Sequence, residues 1–145
     1  MEILIYPNDK LRVKCKSVEK VTPELAETAK EMYRVMKEAR GVGLAAPQVG
    51  LDIRLIVLDN NGIPLYLFNP KILQESKDKH TDMESCLSFP TTHKKISRAT
   101  EVIAKYRDIN NKLQFIKLQG ILARAVLHEI DHLNAILLVD MEEKP

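Results

Sequence analysis

Gly120-Ile121-Leu122-Ala123-Arg124-Ala125-Val126-Leu127-His128-Glu129-Ile130-Asp131-His132-Leu133 is the stretch on which the reading of this chain turns. After Gly120, Leu122, Val126, Ile130 and Leu133 fall near one stripe of a 3.6-residue period, which predicts a helix. Its two histidines, His128 and His132, are four residues apart. On a helix they project from one face, about one turn apart. One metal ion could accept both imidazoles, and Glu129, beside the first, could then reach a water in the same place. The competing reading is a polar helix face with two solvated histidines. A third ligand and a helical context decide between the two.

Upstream, Leu51 to Asp59 is rich in β-branched and aliphatic residues and reads as a strand. Asn60-Asn61-Gly62 is a hairpin signal, with Leu65 to Phe68 as the return strand. The polar residues from Gln74 to Asp82 read as a surface excursion. Glu101 to Arg107 alternates apolar and polar residues, and Asp108 to Asn111 turns it into Leu113 to Leu118, a second hairpin. Near the start, Thr22-Pro23 reads as a helix cap followed by proline at the first helical position. Leu25, Ala29, Met32, Met36 and Ala39 continue at helical spacing, and Gly41 reads as the stop. Those methionines read as core, not as ligands. The expected class is α+β: antiparallel β-sheets packed around a C-terminal helix that carries the HEIDH motif, with an N-terminal helix.

At 145 residues the chain reads as one domain, 1–145. Hydrophobic residues at 45% and charged ones at 29% are the balance of a soluble globular protein. A formal charge of +2, with scattered Lys and Arg, argues against DNA and against a membrane surface as partners. No apolar run approaches the roughly 20 residues that span a bilayer. Met1 to Pro7 lacks the basic start and long apolar stretch of a secretory signal, so a cytoplasmic protein is expected. In a reducing compartment Cys15 and Cys86 are not expected to pair. Cys15, with no His or Cys nearby, reads as a structural thiol.

Gly41-Val42-Gly43-Leu44-Ala45-Ala46-Pro47-Gln48-Val49-Gly50 is a run of small residues with one functional polar side chain, Gln48. Two glycines this close imply a turn or a backbone that approaches something closely. A phosphate loop is excluded, because neither G-K-[S/T] nor G-x-G-x-x-G is present. A catalytic divalent metal usually keeps three protein ligands and one open position. Only 13 residues follow His132, and their acids are Asp140, Glu142 and Glu143. No second helix of useful length fits there, which argues against an ordinary H-E-x-x-H protease. Upstream, Glu84-Ser85-Cys86-Leu87-Ser88 offers a thiolate, a strong ligand for zinc and ferrous iron.

Taken in order, Gly41 to Gln48, Glu84 to Ser88 and His128 to His132 resemble the three signature motifs of the peptide deformylases. Tyr6-Pro7 with Leu11-Arg12, Arg98, Tyr106-Arg107-Asp108 and Leu122-Ala123-Arg124 extend the resemblance over nearly the whole chain. There are departures from the family pattern. Ser85 stands where the family usually has glycine, and so does Ala135. Arg40 stands where many relatives carry an acid, and His93 where many have arginine; both would reshape the rim of the substrate cleft.

The resemblance implies removal of the formyl group from the N-terminal formyl-methionine of new proteins, giving formate and a free amine. It implies Cys86, His128 and His132 as metal ligands and Glu129 as the general base that later returns its proton to the amine. The side-chain amide of Gln48 and the backbone N–H of Leu87 would be the donors to the developing oxyanion. Small Gly43, Ala45 and Ala46 would let the substrate backbone pair as an added strand. Val42, Gly43, Leu87, Phe89 and Ala125 would line the substrate and methionine pocket. The ligand set alone does not choose between iron and zinc. The resemblance implies one Fe²⁺ per chain, with Zn²⁺, Ni²⁺ or Co²⁺ able to occupy the same ligands. Expected partners are N-formyl-methionyl nascent polypeptides near the ribosome exit, bound by a monomer. Two rivals remain: a metallopeptidase that cuts internal bonds, and a non-catalytic relative that binds metal or formylated peptides.

Overall fold

A computed structural model describes residues 1–145. Helix α1, Pro23–Glu38, precedes seven strands, and helix α2, Ile121–Leu133, follows them. The strands are β1 Gly43–Ala45, β2 Leu55–Asn60, β3 Ile63–Glu75, β4 Lys79–Cys86, β5 Phe89–Ala99, β6 Glu101–Arg107 and β7 Leu113–Gln119. All pairings between them are antiparallel. Five strands form one sheet in the order β1-β2-β3-β6-β7, and β4-β5 form a separate two-stranded ribbon. The α+β class is therefore observed. No helix is long and apolar enough to cross a membrane.

The sheet has two unlike halves, and the sequence carries the difference. Leu55, Ile56, Val57 and Leu58 of β2 are all buried, because helices cover both faces there. Leu55 and Val57 join Met32 and Met36 of α1 in one cluster, while Ile56 and Leu58 join Val126 and Leu133 of α2 in another. A strand covered on both faces reads as a continuous apolar run. In β6, Val102 and Ala104 pack under α2, while Ile103, Lys105 and Arg107 alternate with them and are less covered. Coverage on one face gives the alternating pattern.

The first hairpin turns as its sequence predicts. Asn60 pairs with Ile63, and Asn61 and Gly62 both take positive φ, 52° and 87°, the conformation of a tight two-residue loop. The excursion expected over Gln74 to Asp82 is exposed, but it is not a loop. It holds the end of β3 and the start of β4, and β4 pairs with β5 through Lys79↔Ala99 to Ser85↔His93. Its side chains face water on an arm away from the main sheet, so the strand lacks the apolar alternation that would reveal it. Ser76 ties the arm's base: its hydroxyl accepts from the Thr100 and Glu101 N–H groups at 3.1 Å each.

The caps follow local chemistry, with one correction. The Thr22 hydroxyl accepts from Leu25 N–H at 3.2 Å, as a helix cap should. At the other end of α1 the left-handed residue is Arg40, φ 61°, not Gly41. Arg40 N–H reaches Lys37 O at 3.0 Å and Gly41 N–H reaches Met36 O at 2.9 Å, the paired bonds of a Schellman ending. Gly41 is small for a different reason: a Cβ there would lie 2.7 Å from Leu87 Cδ1. Helix α2 ends in the same way, with Ala135 at φ 60° and Ile136 N–H on Asp131 O at 2.9 Å. A Cβ in the left-handed region costs about 1 kcal/mol. Ala135→Gly is therefore expected to stabilise the protein by about 1 kcal/mol, read as a melting temperature higher by roughly 3 °C.

Cys15 and Cys86 are both free and buried. Burial pushes the Cys15 thiol up to about 11, and its packing among Ile56, Leu67 and Leu133 makes it a core residue.

Candidate active site

Four pieces of backbone meet at one cavity of about 420 Å³. Helix α2 brings His128 and Glu129 to its wall and, one turn on, carries the buried His132. The tip of the β4-β5 ribbon brings Cys86 and Leu87, strand β1 brings Gly43, and the short turn Ala46–Val49 brings Gln48. The N-terminal segment holds two of these pieces together: Leu4 N–H donates to Gln48 O at 2.7 Å and Tyr6 N–H to Ser88 O at 2.9 Å.

Cys86, His128 and His132 are buried, and one ligand atom from each lies within 4.8 Å of the others. His132 Nε2 is 3.3 Å from Cys86 Sγ. His128 donates from Nδ1 to Glu84 Oε1 at 2.9 Å, which leaves its Nε2 lone pair as the free one. A carboxylate on the far nitrogen is the usual brace of a metal-binding histidine. Around His128, burial opposes protonation, but a hydrogen bond with Cys86 and the carboxylates of Glu129 and Glu84 outweigh it and raise its pKa. Burial, and then His128 beside it, lowers His132 to about 3, so it is a neutral donor. The three residues fit a single divalent ion with mixed N and S ligands.

Glu129 is 5% exposed, lines the cavity, and its Oε1 has no hydrogen-bond partner in the protein. Burial pushes its carboxyl up to about 7. Gly43 makes the room it occupies: a Cβ at position 43 would lie 2.8 Å from Glu129 Oε2 and 3.0 Å from its Cγ. Gln48 is 1% exposed and fixed at both ends of its amide. Its Oε1 accepts from Ala45 N–H at 2.9 Å, and its Nε2 donates to Ser88 Oγ at 3.1 Å and faces Cys86 Sγ at 3.5 Å. Leu87 N–H donates to no acceptor within the chain.

Val42, Gly43, Leu87, Phe89 and Ala125 all line the cavity, and so do Arg40 and His93 at the rim. Ser85 is exposed on β4 and keeps an ordinary negative φ, so a serine fits there without strain. Asp140, one of the acids downstream of His132, is held by Arg12 through two bonds at 2.5 and 3.0 Å and lies outside the cavity.

Glu84 is the residue whose part the sequence does not announce. It is 4% exposed and accepts four hydrogen bonds. Arg98 donates to it from Nε at 2.8 Å and Nη2 at 3.0 Å, Arg124 from Nη1 at 2.6 Å, and His128 from Nδ1. Arg98 also reaches Asp131 at 2.7 Å. Burial alone would raise the Glu84 carboxyl, but the His128 and Arg98 bonds outweigh it and hold it at about 2. The available signal was a carboxylate two residues before a thiolate ligand, with two arginines on the elements that pack over it.

Comparison with known proteins adds a family. A family model described as polypeptide deformylase matches residues 1–145. The chain is 41% identical to the peptide deformylase of Borreliella burgdorferi over 146 aligned positions, covering 99% of this chain and 88% of that one. It is 41% identical to that of Dictyoglomus thermophilum over 130 positions, 90% of this chain and 84% of the relative. Among solved structures, peptide deformylase from Thermotoga maritima superposes with a TM-score of 0.94 at 35% identity, covering 99% and 97% of the two chains. The Synechococcus elongatus enzyme in complex with actinonin gives 0.95 at 39% identity, covering 99% and 79%.

Proposed function

Because the chain belongs to the polypeptide deformylase family, we propose that it removes the N-formyl group from the N-terminal formyl-methionine of nascent proteins and releases formate. Residues 1–145 would act as one catalytic domain. The observation that carries this reading is the meeting of three groups at one cavity beside the Cys86, His128 and His132 set. These are the unpartnered Glu129 oxygen, the fixed Gln48 amide and the free Leu87 N–H.

A divalent ion held by Cys86, His128 and His132 would supply a Lewis acid that makes water nucleophilic near neutral pH. Glu129 takes the proton of the attacking water as its oxygen joins the formyl carbon. Gln48 Nε2 and Leu87 N–H donate to the formyl oxygen as it gains negative charge, each worth roughly 3 kcal/mol of barrier. Glu129 then returns the proton to the methionine nitrogen, the C–N bond breaks, and formate and a free amine leave. Val42, Gly43, Leu87, Phe89 and Ala125 hold the methionine end of the substrate.

Fe²⁺ is the ion we assign, with Zn²⁺, Ni²⁺ or Co²⁺ able to occupy the same donors. The substrate is a nascent chain near the ribosome exit, the working form is the monomer, and the compartment is the cytoplasm, where unpaired cysteines such as Cys15 and Cys86 persist. Anaerobically prepared, iron-loaded protein is expected to release formate from a formyl-methionyl tripeptide and to leave its internal peptide bonds intact. Cleavage of an internal bond would favour a peptidase. No formate above blank, with iron shown to be bound, would reduce the chain to a binding relative.

Gly43→Ala tests the packing behind the base. The added methyl overlaps the Glu129 carboxylate, so Glu129 must move, and a displacement on the order of 1 Å can cost about 100-fold in rate. Formate release should fall by tenfold or more while the far-UV circular dichroism is unchanged.

A further inference from the structure

The rim of the cavity carries two polar side chains that the reaction above does not use. Arg40 and His93 line the cavity and are exposed, and neither side chain has a hydrogen bond or ion pair within the chain. Other cations nearby are committed. Arg124 is held by Glu84, Ile96 O and His80 O, and Lys94 reaches Val139 O and Met141 O. The acids that line the cavity are Glu84 and Glu129. The first is saturated by arginines and His128, and the second faces the reacting centre. The rim therefore presents positive charge and hydrogen-bond donors, with no free carboxylate to answer them.

Arg40 is also held in place. Its φ of 61° is fixed by the Arg40–Lys37 and Gly41–Met36 hydrogen bonds that end α1. Glycine is the residue this conformation favours, so an arginine is kept here against the backbone preference. Ala135 shares the conformation, so what it gives Arg40 is a fixed point of attachment at the rim.

Position limits what that work is. Gly43 lies against Glu129 at the reacting centre, and Arg40 is three residues before it. Three residues span at most about 10 Å. An extended peptide that starts with its formyl group at Glu129 and pairs along this segment from Gly43 toward Arg40 would bring its second to fourth residues level with Arg40.

We infer that Arg40, aided by His93, selects formyl-methionyl chains that carry an Asp or Glu among the second to fourth residues. This rests on the deformylase reading and adds to it a preference between substrates. An exposed ion pair is modest in strength and screened by salt, so the preference is a matter of several-fold and is carried by KM.

The test compares three C-terminally amidated peptides, formyl-Met-Ala-Glu-Ser, formyl-Met-Ala-Gln-Ser and formyl-Met-Ala-Lys-Ser, by formate release at low ionic strength. Wild type is expected to favour the Glu peptide over the Lys peptide by about fivefold in kcat/KM. The Gln peptide should fall between them, and the ratio should shrink toward one as salt is raised. Arg40→Gly should lose most of the ratio, and Arg40→Glu should reverse it. Arg40→Gly should also melt no lower than wild type, because glycine suits the position, so its lost selectivity is not a folding defect. Equal kcat/KM for the three peptides with formate released, or an unchanged ratio in Arg40→Glu, would overturn the inference and leave the deformylase reading standing. Formate from none of the three would overturn both.

Discussion

Glu129→Ala is expected to bind one divalent ion per chain as wild type does and to release formate more slowly by a factor of about 10³ or more. Glu129 is not among the three residues whose donor atoms cluster, so the ligand set survives its loss. What the substitution removes is the buried carboxylate oxygen that faces the cavity without a partner. The same change should leave the melting temperature equal or higher, since a buried acid without a hydrogen bond at Oε1 destabilises the fold. Loss of rate together with retained metal and undiminished stability separates a proton-transferring role from a structural one. If Glu129→Ala kept the full rate, the general base would have to be sought elsewhere in the cavity.

Glu84→Ala is expected to have the second largest effect, through stability and metal retention together. Removing that carboxylate leaves Arg98, 9% exposed, and Arg124 without their shared acceptor. Breaking a buried ion pair from one side typically costs 3–5 kcal/mol, about that much being expected here. Asp131 remains as a partner for Arg98 and Ile96 O for Arg124, so the loss should stay within that range. The same substitution frees His128 Nδ1, and loss of such a brace commonly lowers metal affinity about 10–100-fold. Chemical denaturation of the metal-free protein and competition with a chelator would measure the two effects separately. A variant as stable as wild type that also holds its metal equally well would show that the cluster does neither job. Glu84→Gln, which keeps an acceptor for one arginine, should sit between wild type and Glu84→Ala in both measurements.

What the chain discloses before folding depends on how local each signal is. The period of α2, the four-residue spacing of His128 and His132, the Thr22 cap and the Asn61-Gly62 turn act within a few residues, and the structure shows each where the pattern places it. The ribbon β4-β5 is another matter. Its two-residue connection, Leu87-Ser88, carries no turn signal, and Pro90, a residue that argues against a strand, lies inside β5. Proline is tolerated there because the ribbon is only two strands wide and both strands are edges.

Long-range partnerships are equally hidden. Glu84 meets Arg98, Arg124 and His128 across 14, 40 and 44 residues, and no periodicity connects them. The glycines show how a correct residue can mislead about its reason. Gly41 has the composition of a helix stop, yet Arg40 takes the left-handed position and Gly41 clears space for Leu87. Gly43 signals a close approach, but only the packed structure shows that Glu129 is what approaches. The cavity-lining residues Val42, Leu87, Phe89 and Ala125 came together because each belongs to, or adjoins, a recognisable motif. Arg40 and His93 were visible as departures from a pattern, and their shared place at the rim became visible in the fold.

The proposed reaction depends on one divalent ion held by Cys86, His128 and His132. The most direct measurement titrates metal-free protein with Fe²⁺ under anaerobic conditions while formate release from a formyl-methionyl peptide is followed. Formate release should rise linearly and break at one equivalent of metal per chain, and Cys86→Ala should show neither the rise nor the break. Formate release that is full without added metal, or absent at every ratio with iron confirmed bound, would contradict it.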